Sequence, residues 1–214
     1  MKTRKAGKDP RHKNIAICSA NQKKCIPPAC FCETGELLKN GGFETPSFNP
    51  FELFEGWVLY SRTVDIGLVR TTVNVYEGSA AASVQPNAPP ANVPTTLILR
   101  QYVDVTPGCL YKLKFAERFV TMGQAADSIF PLLVASVIYL DRNLNEYELL
   151  NIPIQKTEAD AEYNLHVQIA DRPVPCDVPG IIVQFSFYIS DAPGSVWNLD
   201  AVSLESVTRN SACC

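Results

Sequence analysis

Apolar and polar residues alternate over long stretches of the second half of the chain. In "TTLILRQYVDV" (95–105), Leu97, Leu99, Gln101, Val103 and Val105 share one face, and Arg100, Tyr102 and Asp104 share the other. That two-residue period predicts a half-buried strand. "TPG" then turns the chain, and "CLYKLKFAERFV" (109–120) alternates again. Cys109, Tyr111, Leu113, Phe115 and Phe119 point one way; Lys112, Lys114 and Arg118 point the other. Two such runs around a Pro-Gly turn predict a hairpin. "FPLLVASVIYL" (130–140) is apolar on both faces, as a covered strand would be, "DRNLNE" turns, and "YELLNIPI" returns. "IIVQFSFYI" sets Ile181, Val183, Phe185, Phe187 and Ile189 on one face, and "SVWNLDAVSLESV" reads as a last strand. "PSFNPFELFEGW" (46–57) and "QPNAPPANVP" (85–94) read as loops, because Pro and Asn disfavour regular ladders. The helical period is absent apart from a single turn expected at Ala125–Ser128. Short strands separated by frequent turns predict an antiparallel β-sandwich or barrel.

The first 33 residues break this pattern. They show neither period, carry Pro27-Pro28, and hold eight Lys/Arg against one acid up to Lys24, a net of +7. The whole chain is −3, so residues 25–214 carry −10. The expected organisation is a basic Cys-containing arm (1–33), one β domain (34–207) and a short C-terminal Cys tail (208–214). No apolar run reaches the length of a membrane helix, so no membrane partner is expected. No apolar stretch follows the N-terminal charges either, so no secretory signal peptide is expected.

Six of the eight cysteines sit in the two tails: Cys18, Cys25, Cys30, Cys32, Cys213 and Cys214. These are candidates for intermolecular disulfides, since a bond on a tail reaches another chain without distorting the core. Cys109 and Cys176, in the domain, are left with three alternatives: pairing with each other, staying as core thiols, or receiving a tail cysteine. The gaps between Cys18, Cys25, Cys30 and Cys32 fit no standard zinc spacing. Catalytic motifs are missing: the two histidines are His12 and His166, and no phosphate loop or nucleophile elbow appears. The acid pairs Glu146/Glu148 and Asp160/Glu162 read as solvated. The chain is therefore expected not to be an enzyme.

Five stretches carry a resemblance: "ELLKNGGFET" (36–45), "FEGW" (54–57), "YEGSAAASVQP" (76–86), "LRQYVDVTPGCLYKLKFAERF" (99–119) and "VWNLDAVSL" (196–204). In this order they resemble galactose-binding-like jelly-roll domains of the carbohydrate-binding-module type, over about residues 36–207. The fold implied is all-β, an antiparallel jelly-roll β-sandwich. The resemblance also implies a structural calcium between Glu44 and Asp200, with the Asn40 and Gly42 carbonyls nearby; family members often carry a second Asp where this chain has Ala201. Sugar binding would need exposed rings, and Tyr60, Tyr76, Phe119, Tyr139, Tyr147 and Trp197 are the candidates, with Trp57 assigned to the core; most of these rings read better as packing between the sheets.

The plan of cysteine-bearing tails around such a domain is similar in design to disulfide-linked jelly-roll subunits of bacterial endospore appendages. The first expectation is accordingly a non-enzymatic subunit that self-assembles into a disulfide-linked fibre or surface layer, its arm docking on a neighbouring copy. It would be extracellular or on a spore surface, with other spore-surface proteins or glycans as further partners. The alternatives are a carbohydrate-binding module and a binder of anionic surfaces or nucleic acid through the basic arm.

Overall fold

The computed structural model describes residues 32–49, 52–62, 66–86, 96–122, 132–189 and 195–207. Ten strands run in chain order: β1 (Val58–Arg62), β2 (Ile66–Thr71), β3 (Ala81–Pro86), β4 (Thr96–Asp104), β5 (Leu110–Thr121), β6 (Leu132–Leu140), β7 (Glu146–Gln155), β8 (Asn164–Ile169), β9 (Gly180–Tyr188) and β10 (Val196–Val207). They form two five-stranded antiparallel sheets, β1-β4-β9-β6-β7 and β2-β3-β10-β5-β8. This is the expected all-β sandwich.

The alternating runs become the strands they predict. Leu97, Leu99 and Val103 on β4, Leu113, Phe115 and Phe119 on β5, and Val183, Phe185 and Phe187 on β9 are buried between the sheets. Phe115 of β5 meets Phe185 of β9 edge-on across the two layers, 5.2 Å between centroids, and Trp57, just before β1, lies 6.0 Å from Phe185. Each fully buried side chain of this size contributes about 1.5–3 kcal/mol. β6 is an interior strand, which explains its apolar outer face: Ile138 is 3 % exposed.

β1, β2, β3 and β8 are not assigned in the sequence reading. The first three are short, and β3 is Ala-rich, a poor strand former. β2 and β3 persist because β3 is held between β2 and β10, and β1 because it pairs with β4. β8 does alternate, but in reverse. Its apolar Leu165, Val167 and Ile169 face solvent, while His166 turns inward and stacks on Phe115 at 4.8 Å. The inward polar side of β8 meets a charged cluster between the sheets. Glu117 of β5 is fully buried, and its Oε1 lies 3.0 Å from Lys156 Nζ and 3.2 Å from His166 Nε2. Lys156 also reaches Asp160 at 2.7 Å, and the Phe119 N–H donates to that carboxylate at 2.8 Å. Asp160 is therefore bonded and partly buried, not solvated as expected. Glu146 is an ion-pair partner of Arg100.

The segment that begins at Cys32 is fastened to this frame. Cys32 forms an intrachain disulfide with Cys109, Cα–Cα 5.8 Å. This corrects one expectation, since Cys32 is closed within the chain rather than bonded to another subunit, and it selects one of the alternatives for Cys109, which receives a tail cysteine. Cys176 is disulfide-bonded too, and it is exposed, so it is not a core thiol. It does not pair with Cys109. Beside Cys32, the Glu33 carboxylate accepts hydrogen bonds from the Thr106 N–H and hydroxyl and from the Tyr111 hydroxyl. Burial raises the Glu33 pKa, but these donors outweigh it and hold the carboxyl below the usual range. Cys18, Cys25, Cys30, Cys213, Cys214 and the turn expected at Ala125–Ser128 lie outside the described residues.

Candidate functional site

The segment "NGGF" (40–43) explains why the glycines are there. Val202 N–H donates to Gly41 O at 3.0 Å, and a Cβ on Gly41 would collide with the Val202 carbonyl. The loop thus presses backbone against backbone on a bulge of β10, where Ala201 adopts φ 48°. Asn40 serves the loop itself. Its side chain bonds Thr45 and Glu55, and its carbonyl accepts from Phe43 N–H and from Trp57 Nε1. Asn40 is a loop organiser, with its carbonyl already committed.

Glu44 and Asp200 do come together. A Cβ placed on Gly42 would sit 4.0 Å from both Asp200 Oδ1 and Glu44 Oε1. Asp200 is fully buried and accepts from the N–H groups of Tyr76, Glu77 and Ala201. Burial first, then the Glu44 charge, push its carboxyl pKa up, against those donors. Glu44 accepts from Ser79 (hydroxyl and N–H) and Ala80 N–H, which hold its own carboxyl below the usual range. Among the described residues no three His, Cys, Asp or Glu side chains gather at one point. A cation here would rest on this carboxylate pair together with backbone oxygens or water, a donor set that suits a hard ion.

A groove of about 440 Å³ opens on the outer face of the β1-β4-β9-β6-β7 sheet, lined by Val58, Tyr60, Arg100, Tyr102, Leu140, Leu144, Glu146 and Ile182. Strand register builds it: Val58 lies opposite Arg100, Arg100 opposite Gln184, and Tyr102 opposite Ile182. The Arg100 guanidinium lies 3.7 Å from the Tyr60 ring centroid, its Nη2 is 3.0 Å from Glu146 Oε1, and its Nε–H donates to Gln184. Tyr60 and Tyr102 are 59 % and 60 % exposed. The Tyr102 ring lies over Gly180, where any Cβ would overlap its hydroxyl. On the far wall, Asp141 accepts from the N–H groups of Asn143 and Asn145, closing a turn that holds Leu144 at φ 65°. These bonds, the Asn145 side chain first, keep the Asp141 carboxyl below the usual range.

Of the candidate rings, only Tyr60 lines this groove. Phe119 and Trp197 are fully buried and pack at a tilt, 4.8 Å between centroids, in the core. Tyr76 pairs with Tyr163 and Tyr139 with Tyr147, both away from the groove lining. Tyr102 and Arg100 were legible only as the outward face of β4.

No protein-family model matches the sequence, and a search of the curated proteins finds no match. Solved structures do. A family 61 carbohydrate-binding module in complex with β-1,4-galactotriose is 19 % identical, TM-score 0.54, over 81 % of this chain and all of its own. The CBM22-1 xylan-binding domain of Xyn10C from Paenibacillus barcinonensis is 12 % identical, TM-score 0.53, over 84 % of this chain and 99 % of its own. The enzymatically active domain of tailspike protein 4 from bacteriophage CBA120 is 17 % identical, TM-score 0.55, over 80 % of this chain but 21 % of its own. The neighbours matched along nearly their whole length are thus binding modules, while the enzyme is matched along a fifth. The chain shares the jelly-roll β-sandwich fold of these modules.

Proposed function

We propose that this domain is a carbohydrate-binding module that holds a glycan chain in the groove of its β1-β4-β9-β6-β7 sheet. The observation that carries this is the side-chain set at the groove: two exposed tyrosine rings beside a fixed Arg100–Glu146–Gln184 network. Sugar rings present C–H faces that stack on aromatics, and hydroxyls that exchange bonds with fixed donors and acceptors. Arg100 supplies donors only, Glu146 acceptors only, and Gln184 both. Ion pairing presets them, so little side-chain entropy is lost on binding.

The test is titration calorimetry of the full chain against soluble galactans, xylans and arabinans, with pull-down on insoluble ones. Binding to at least one is expected, weakened about tenfold by Tyr60→Ala and by Tyr102→Ala. A chain that retains none of the panel, or whose binding ignores both variants, would sink this reading. The fibre expectation rests on tail segments outside the described residues, and it has lost Cys32.

The calcium belongs to the same proposal. Asp200 and Glu44 are two like charges at close quarters, one of them fully buried, and a divalent cation would offset both. Bound there, it would tie the loop after residue 40 to the last strand. At calcium a hundredfold above its dissociation constant, the stabilisation is about 2.7 kcal/mol. EDTA should then lower the melting temperature by roughly 5–10 °C. No change with EDTA would mean that both carboxylates act as backbone caps alone.

A further inference from the structure

Among the described residues β8 ends the β2-β3-β10-β5-β8 sheet, so one side of its backbone is unpaired by the sheet. Ala170 N–H donates to Tyr111 O and Asp160 N–H to Phe119 O, across to β5. Even-numbered residues of β8 therefore face β5, and the N–H and C=O groups of Leu165, Val167 and Ile169 point to the free edge. The side chains of these three are 47 %, 56 % and 44 % exposed. Edge strands are normally guarded by charges or proline. β7, the matching edge of the other sheet, carries Glu146, Glu148 and Pro153; β8, "NLHVQI", carries no charged residue and no proline.

We propose that β8 is a docking edge for a second copy of this chain, the two β8 strands pairing antiparallel about a two-fold axis through Val167. In that register Val167 faces itself and Leu165 faces Ile169 of the second copy. Each pair exchanges both backbone bonds, because the residues with free groups are the ones placed opposite. The same side chains form one apolar stripe across the joint. Because the pairing is symmetric, the same Leu165–Ile169 contact forms at both ends of the joint. The rival occupant is this chain's basic arm. Lys114 lies beside Val167 on the outer face and would repel it, whereas the apolar outer face of a second β8 meets no such cost.

The test is sedimentation of the full chain up to about 0.1 mM, reading only material that runs as a single chain on a non-reducing gel. The wild type should approach about 47 kDa, twice the 23.6 kDa chain. Val167→Lys should raise the dissociation constant about tenfold or more, with an unchanged melting temperature and unchanged glycan binding. Leu165→Lys should weaken the dimer, and Leu165→Lys with Ile169→Glu should restore it, which decides the matter if Val167→Lys misfolds. A monomer at the highest concentration, a dimer indifferent to both sets of variants, or a dimer lost on deleting residues 1–31 would overturn the proposal.

Discussion

Replacing Lys156 with alanine is expected to destabilise the domain by about 3–5 kcal/mol, the usual cost of removing one partner from a buried ion pair. Glu117 is fully buried on the inner face of β5, and its second oxygen, Oε2, has no hydrogen-bond partner. Lys156 Nζ, 3.0 Å from Oε1, is its closest cation. Without it the carboxylate faces the core with only His166 beside it. At 2–4 °C per kcal/mol for a domain of this size, the melting temperature should fall by roughly 6–20 °C. The double variant Lys156→Met, Glu117→Leu should recover most of the loss, because it removes the stranded charge together with its partner. Thermal denaturation of the two variants decides it; equal losses in both would mean that packing, not charge, explains the effect. Asp160 adds a pH signature. Burial raises its pKa, but the Lys156 and Phe119 bonds bring it below the usual carboxylate range. Its folded value is thus depressed, so its contribution is present at neutral pH and is lost as pH falls through the acid range. That dependence should shrink in Lys156→Ala.

Removing both Cys32 and Cys109 should cost about 4 kcal/mol and lower the melting temperature by about 10 °C. The two lie 77 residues apart, and a cross-link over that span removes much of the freedom of the unfolded chain. The bond also anchors a short clip. Glu33 binds Thr106 and Tyr111, Leu37 N–H donates to Leu204 O, and Glu36 accepts from Leu204 N–H. The variant Cys32→Ser, Cys109→Ser should therefore lose amide protection at residues 36–38 before the sheets melt. Peptide mapping without reductant should find Cys32 linked to Cys109. A map joining Cys32 to another chain would return it to the intermolecular set.

The sequence by itself determined the strands whose alternation is long and one-sided. β4, β5 and β9 bury every second side chain over about nine residues or more, and a one-residue slip would turn that set to water, so pattern and register coincide. It also pointed to Glu44 and Asp200 as neighbours, through the resemblance carried by "NGGFET" and "VWNLDAVSL". Short strands escaped it, because β1, β2 and β3 owe their form to the strands beside them rather than to their own propensity. β8 escaped for a different reason: its alternation is clear, but the pattern cannot say which face is inside. Only the buried Glu117–Lys156 pair, contributed by β5 and the segment after β7, makes the polar side the inner one. The groove was likewise a tertiary decision. Tyr60, Tyr102, Arg100 and Glu146 lie on three strands up to 86 residues apart, and nothing local to any of them marks a shared surface. Likewise the pairing of Cys32 was open among eight cysteines, and it was closed by distance: the chain entering the sandwich runs past the start of β5, where Cys109 sits with its Cα 5.8 Å away.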